Sequence, residues 1–195
     1  MDRAHIVRRS THLCAPLFLV YYLFPGDMWG LGVSPEIAVL IVLALVLVVE
    51  AIRLATGRTY YGLRTYEKNQ LSAYAWAGIG ITAAFLFFPP VFVICVVVGL
   101  GWVDPLIGEL RMRKKKTYPA LPLVVYFMLV FCCMQVFSDI NIFVQVFLGC
   151  LAAVSAIKIE AWKMKYVDDD FLMLMIPLVI MTLVYEIMKF TGITS

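Results

Sequence analysis

Long unbroken apolar stretches, cut by short polar or charged segments, set the pattern of this chain. Ile37 to Val49 and Val91 to Val98 run without a polar residue. A transmembrane strand alternates apolar and polar positions, so continuous runs exclude a β-barrel and predict helices. In hydrocarbon, a helix satisfies its own backbone groups. The pattern predicts seven helices, over about 11–24, 36–55, 71–88, 91–108, 119–137, 142–157 and 171–189. Several fall short of the ~20 apolar residues of a straight span. Short spans are accommodated where Arg or Lys side chains snorkel, or where a helix end faces a polar cavity. The expected fold is all-α, a polytopic membrane helix bundle forming a single domain over residues 1–195.

Charge sorts the connections into two kinds. The segments around Pro25–Pro35, Phe88–Pro90 and Ser138–Asn141 are short and nearly free of base. The other connections are crowded with Lys and Arg. With those on one side, all of the 16 basic residues but Lys189 gather there. By the positive-inside rule that side is cytoplasmic, so the N-terminus is inside and, after seven crossings, the C-terminus outside. Acids gather there too: Asp2, Glu50, Glu67, Asp104, Glu109, Glu160, Asp168, Asp169 and Asp170. The rule concerns Lys and Arg, so this clustering calls for another cause, and a cytosolic polar site supplies one.

Composition agrees. The chain of 195 residues is 63% hydrophobic and 15% charged, with mean hydropathy +0.93, against ~45–50% apolar and ~25% charged in soluble domains. The five cysteines lie in apolar runs without a CxxC pair and read as small buried hydrophobes. The basic start leads into an apolar stretch with no small-residue cleavage site after it, and reads as a retained first helix. His5 and His12 are the only histidines, and no HExxH spacing exists. No Walker or kinase glycine motif appears, and Gly78 and Gly80 read as helix packing.

Three constellations fall on the charged side. Glu50 and Arg53 lie one helical turn apart. Their plain reading is an ion pair that anchors a helix end; the functional reading follows from the cost of ionisable groups at membrane depth. Arg58, Arg64 and Lys68 come next, as topology signals or as acceptor-binding bases. The second constellation runs from Asp104 through Pro105, expected to bend or end its helix, to Gly108, Glu109, Arg111 and the run Arg113 to Lys116. An acid followed closely by bases suits a metal–polyphosphate site, the acid holding Mg²⁺ and the bases meeting phosphate oxygens; the plain reading is a helix-end acid beside a basic loop. The third holds Glu160, Lys163, Lys165 and Asp168–Asp169–Asp170. One acid suffices to cap a helix. Three adjacent acids repel unless a cation or bases offset them.

In this order the constellations resemble the dolichol kinase and phytol kinase family, membrane-embedded CTP-dependent kinases of polyprenols. The resemblance runs from Arg8 to about Leu183. Arg8-Arg9-Ser-Thr-His12 is similar to the family's basic pair and histidine, and Glu50-Ala-Ile-Arg53 to its Glu-x-x-Arg element. Asp104 with Gly108 resembles its Gly-Asp-x-x-Ala element and following glycine. Lys116-Thr117 falls where the family has Lys-Ser. Glu160 and Asp168-Asp169-Asp170-Phe-Leu, with Ile176-Pro177-Leu178 after them, resemble its Glu and Asp-Asp-Asn-Leu-Pro elements. Val103 stands for the family glycine, Asp170 for its asparagine, and Tyr118-Pro119-Ala120 for its Glu-Gly.

The resemblance implies a kinase that moves the γ-phosphate of CTP to a polyprenol or dolichol-like alcohol at the cytoplasmic face. It implies Asp104, Asp168 and Asp169 in catalysis, and Mg²⁺ held by Asp104, Asp168, Asp169 and Asp170. Arg53, Arg111, Lys114, Lys115 and Lys116 would meet the nucleotide, with His12, Glu50 and Glu160 in support. The expected setting is the cell membrane of a prokaryote, with no nucleic-acid partner. Two other readings stay open. A CTP-dependent lipid cytidylyltransferase needs the same nucleotide, metal and membrane. A degenerate family member or a transporter needs no chemistry, although a transporter would carry more polar residues at the bilayer midplane than Gln135 and Gln145.

Overall fold

Polar side chains mark where four of the helices begin. Ser34 accepts a hydrogen bond from the Ile37 N–H (3.4 Å), Ser72 from Ala75 (3.3 Å), Asn141 from Phe143 (2.9 Å) and Asp168 from Asp170 (3.0 Å). Each satisfies a backbone donor that the first turn leaves open. The computed structural model describes residues 9–27, 32–59, 63, 65–162, 164 and 167–192. A short helix, α1, covers residues 9–13, and a 3-10 helix follows at Ala15–Leu23. Then come α2 (Pro35–Thr56), a 3-10 turn (Thr65–Asn69), α3 (Ala73–Phe87), α4 (Pro90–Met112), α5 (Ala120–Phe137), α6 (Ile142–Ala161) and α7 (Asp169–Phe190). No strand occurs among the described residues.

The fold is the expected all-α membrane bundle. Five helices, α2, α4, α5, α6 and α7, are long and apolar enough to cross a bilayer. The sixth expected span, α3, has 15 residues. The seventh, expected over about 11–24, is mostly 3-10 helix. At about 2.0 Å rise per residue, its nine residues extend about 18 Å. Leu17, Phe18, Leu40, Leu45, Phe143 and Phe147 are among many large apolar side chains left exposed. Such a surface is stable against lipid tails rather than water.

Helices α4, α5, α6 and α7 contact one another in a closed ring. Its interior holds fully buried Val93, Val96, Tyr126, Val130, Leu148 and Met181. Small residues bring the helices close, as membrane packing favours. The Tyr126 ring lies 2.8 Å from where a Cβ on Gly99 would stand, and Phe127 sits 3.2 Å from that point on Gly149. α3 packs on α7, with Gly80 against Phe171 and Leu174, and α2 packs on α3.

The N-terminal segment runs along α4. At one end the His12 carbonyl and Pro16 sit against Gly101. At the other, Tyr21 stacks on Phe85 with centroids 4.3 Å apart, near the opposite end of α3. The segment therefore passes along most of the bundle. Because successive helices alternate in direction, the ends of α2, α4 and α6 and the starts of α3, α5 and α7 share one end with residues 9–13. Every candidate site residue lies at or near that end. Lys189, in the last turn of α7, lies at the other.

Two expected boundaries differ. α4 continues through Pro105 to Met112. Proline removes a single helical hydrogen bond, and membrane helices tolerate it where neighbours support the backbone. α6 continues to Ala161, which places Glu160 on a helix.

Candidate functional site

Three segments that are distant in sequence meet at the charged end. His12 follows Arg9 on α1, Asp104 sits eight residues before the end of α4, and Asp170 lies in the first turn of α7. His12 Nε2 stands 3.6 Å from Asp104 Oδ2 and 3.5 Å from Asp170 Oδ2. The three side chains are largely buried, and each offers a ligand atom within 4.8 Å of the other two. Asp168, Asp169 and Asp170 form a second such group. Asp170 belongs to both, so the acids form one continuous patch.

Local structure explains the placement. Asp168 is the N-cap of α7, in extended conformation, and turns the chain into the helix. That sets Asp170 inward, where it is buried, while Asp169 is more exposed. His12 is held by its own backbone, which lies so close to α4 that only glycine fits at position 101: a Cβ there would stand 2.8 Å from the His12 oxygen. Arg9 reinforces the seat through a 2.8 Å ion pair with Glu109, which also pairs with Arg113. A Cβ on Gly108, by contrast, would meet nothing within 4 Å. Packing therefore does not require that glycine.

Arg111 ties α4 to α6 and to the connection between α4 and α5. Its Nη1 donates to Glu160 on α6 at 2.6 Å and its Nη2 to the Tyr118 hydroxyl, while its guanidinium lies 4.8 Å over the Tyr118 ring. Arg111, expected at the nucleotide, is thus ion-paired with Glu160, expected in support. Lys114, Lys115 and Lys116 are exposed. They occupy a helix stop in which the Lys115 N–H bonds back to Leu110 O and the Lys114 N–H to Arg111 O. Lys114 takes the left-handed position, φ 48°, usually given to glycine in this motif. The stop ends α4 and leaves the basic run exposed.

Glu50 and Arg53 form a buried clamp. Arg53 Nε and Nη2 donate to the two Glu50 carboxylate oxygens at 2.9 and 2.8 Å. Nη1 and Nη2 also donate to the carbonyls of Glu67 (3.1 Å) and Gln70 (2.7 Å), and Glu50 Oε1 accepts from the Ser72 N–H at 2.6 Å. The Arg53 side chain is 0% exposed. The expectation that Arg53 meets the γ-phosphoryl group gives way to a structural role, because its guanidinium is enclosed and engaged with Glu50 and two carbonyls. The clamp fastens the connection between α2 and α3. Arg58 and Lys68 are exposed on that connection. Arg8, Arg64, Lys163 and Lys165 lie outside the described residues.

The fold brings Asp104 together with Asp170 and, beside it, Asp168 and Asp169. It adds His12 as a direct neighbour of two of them. No spacing rule gives that contact, since 92 residues separate His12 from Asp104; its only signal was the motif resemblance. One imidazole and two carboxylates within 4.8 Å of one another, with Asp168 and Asp169 equally near Asp170, are a donor set that suits a divalent cation. No family model, curated protein or solved structure matches this chain.

Proposed function

We propose that this protein is a CTP-dependent kinase that phosphorylates a polyprenol or dolichol-like alcohol at the charged end of the bundle. The convergence of His12, Asp104 and Asp170 from three segments carries this reading. It unites residues of three separate elements of the resemblance, beside exposed Lys114–Lys116. Phosphoryl transfer asks mainly for positioning and charge neutralisation, with no covalent nucleophile. Mg²⁺ bound at the acids would neutralise and orient the nucleotide's phosphate oxygens. Asp104 and Asp168–Asp170 hold the ligand positions. One of these carboxylates accepts the proton of the lipid hydroxyl. Lys114, Lys115 and Lys116 meet the nucleotide from the aqueous side, and Glu160 with Tyr118 keeps Arg111 beside them. The lipid-facing helices let an isoprenoid chain remain in the bilayer while its hydroxyl reaches the rim. The positive-inside rule places this end in the cytoplasm, where CTP is available.

Detergent-purified protein supplied with an isoprenoid alcohol, Mg²⁺ and CTP labelled at the α or γ phosphate tests the proposal. Label from the γ position enters the alcohol, and Asp104→Asn abolishes the transfer while the protein keeps its helical content. Transfer of α label to a phosphorylated lipid would replace this reading by a cytidylyltransferase. Failure of both labels to move would leave a non-catalytic member of the same fold.

A further inference from the structure

The geometry points to a mixed nitrogen–oxygen metal site at His12, Asp104 and Asp170, one that takes a first-row divalent cation such as Mn²⁺ in preference to Mg²⁺ and fastens the N-terminal segment to α4 and α7. The inference deepens the proposed function and rests on its placing of a divalent cation beside Asp104.

Distances argue first. The 3.5 and 3.6 Å separations from His12 Nε2 to the two carboxylate oxygens exceed the ~2.7–3.2 Å of an N–H···O hydrogen bond. Adjacent ligands about 2.0–2.2 Å from a first-row ion stand about 2.8–3.1 Å apart in octahedral and about 3.3–3.6 Å apart in tetrahedral geometry. The imidazole nitrogen thus stands from each carboxylate as ligands stand around a shared ion.

Ligand chemistry argues second. Mg²⁺ takes oxygen ligands and keeps much of its water. An imidazole among carboxylates shifts preference toward first-row ions that accept nitrogen. The site is also more than a patch of acids. His12 comes from a separate chain segment and is set in place by the close approach of its carbonyl to Gly101 and by the Arg9–Glu109 pair. A cation held by all three side chains joins that segment to two helices of the ring.

Tag-free full-length protein in detergent is titrated with Mn²⁺, followed by electron paramagnetic resonance, with Mg²⁺ as competitor. One Mn²⁺ binds per chain, and Mg²⁺ displaces it only at an excess of at least tenfold. Pulsed measurements on the unaltered protein detect coupling of Mn²⁺ to an imidazole ¹⁴N, which needs no variant to fold. His12→Ala removes the coupling and weakens Mn²⁺ binding at least tenfold; His5→Ala, at the only other histidine, retains both. Bound Mn²⁺ without nitrogen coupling would overturn the inference, as would absence of Mn²⁺ binding. The readout is independent of turnover: a chain that binds Mn²⁺ through His12 and moves no phosphate would overturn the kinase reading and leave this site standing.

Discussion

The carbonyl oxygen of His12 lies 2.8 Å from the point where a Cβ on Gly101 would stand. A backbone atom cannot rotate out of the way as a side chain can, so any larger residue at 101 must push the N-terminal segment off α4. Gly101→Ala is expected to cost about 1–3 kcal/mol, the usual penalty of overpacking. Its effect on phosphoryl transfer should be larger than its effect on melting temperature, because the displaced atom belongs to His12. Parallel thermal unfolding and activity measurements on the variant check this; equal, small losses in both would separate His12 from the site.

Asp168 combines capping with a place in the acidic patch, and two substitutions separate these roles. Asparagine caps a helix about as well as aspartate, whereas alanine costs about 1 kcal/mol. Asp168→Asn should therefore preserve the melting temperature and Asp168→Ala lower it. If Asp168 also holds the cation of the proposed kinase, both variants lose turnover. Retention of full activity in Asp168→Asn would reduce the residue to a cap.

Lys114 adopts a left-handed backbone, φ 48°, which costs a non-glycine residue about 1–2 kcal/mol. Lys114→Gly should raise the stability of the detergent-solubilised protein by about 1 kcal/mol, less the entropy that glycine brings to the unfolded chain. The same change removes an exposed cation from the proposed nucleotide surface, so the KM for CTP should rise as stability rises. Opposite movement of the two quantities distinguishes a binding lysine from a loop lysine.

The Glu50–Arg53 clamp supports a prediction about stability alone. Arg53→Ala strands a buried carboxylate, with an expected loss of about 3–5 kcal/mol. The double exchange Glu50→Leu with Arg53→Met removes both charges and should recover part of that loss, leaving the carbonyls of Glu67 and Gln70 without their donor. Melting followed by circular dichroism orders the three proteins. A double variant no more stable than Arg53→Ala would show that the carbonyl contacts, rather than the ion pair, hold the connection.

Six helices were legible from hydropathy, because a bilayer imposes a length and an apolar composition that few other structures share. Pro35–Thr56 and Ala120–Phe137 lie within a residue of the expected bounds. The N-terminal 3-10 helix was not legible, since a uniformly apolar stretch has no polar face to reveal whether its period is 3.0 or 3.6. The expected end of α4 near residue 108 fell short, since the helix continues past Pro105 to Met112. At the site, the acids and bases were visible as charges set against an apolar background. The partners of Arg53 were not, because the carbonyls of Glu67 and Gln70 carry no side-chain signature. The meeting of His12 with Asp170 depends on the bundle's closure, which no local pattern encodes.

The 3-10 segment has a mechanical consequence. Anchored by His12 at one end and by the Tyr21–Phe85 stack at the other, it behaves as a strut of fixed length. The same nine residues wound as an α-helix would reach only about 13 to 14 Å, some 4 to 5 Å less. One anchor would then have to let go. A one-residue deletion between Ala15 and Leu23 would therefore be felt at whichever end yields first, and the tightness of a contact near one membrane surface is set by a winding choice made along most of the bundle.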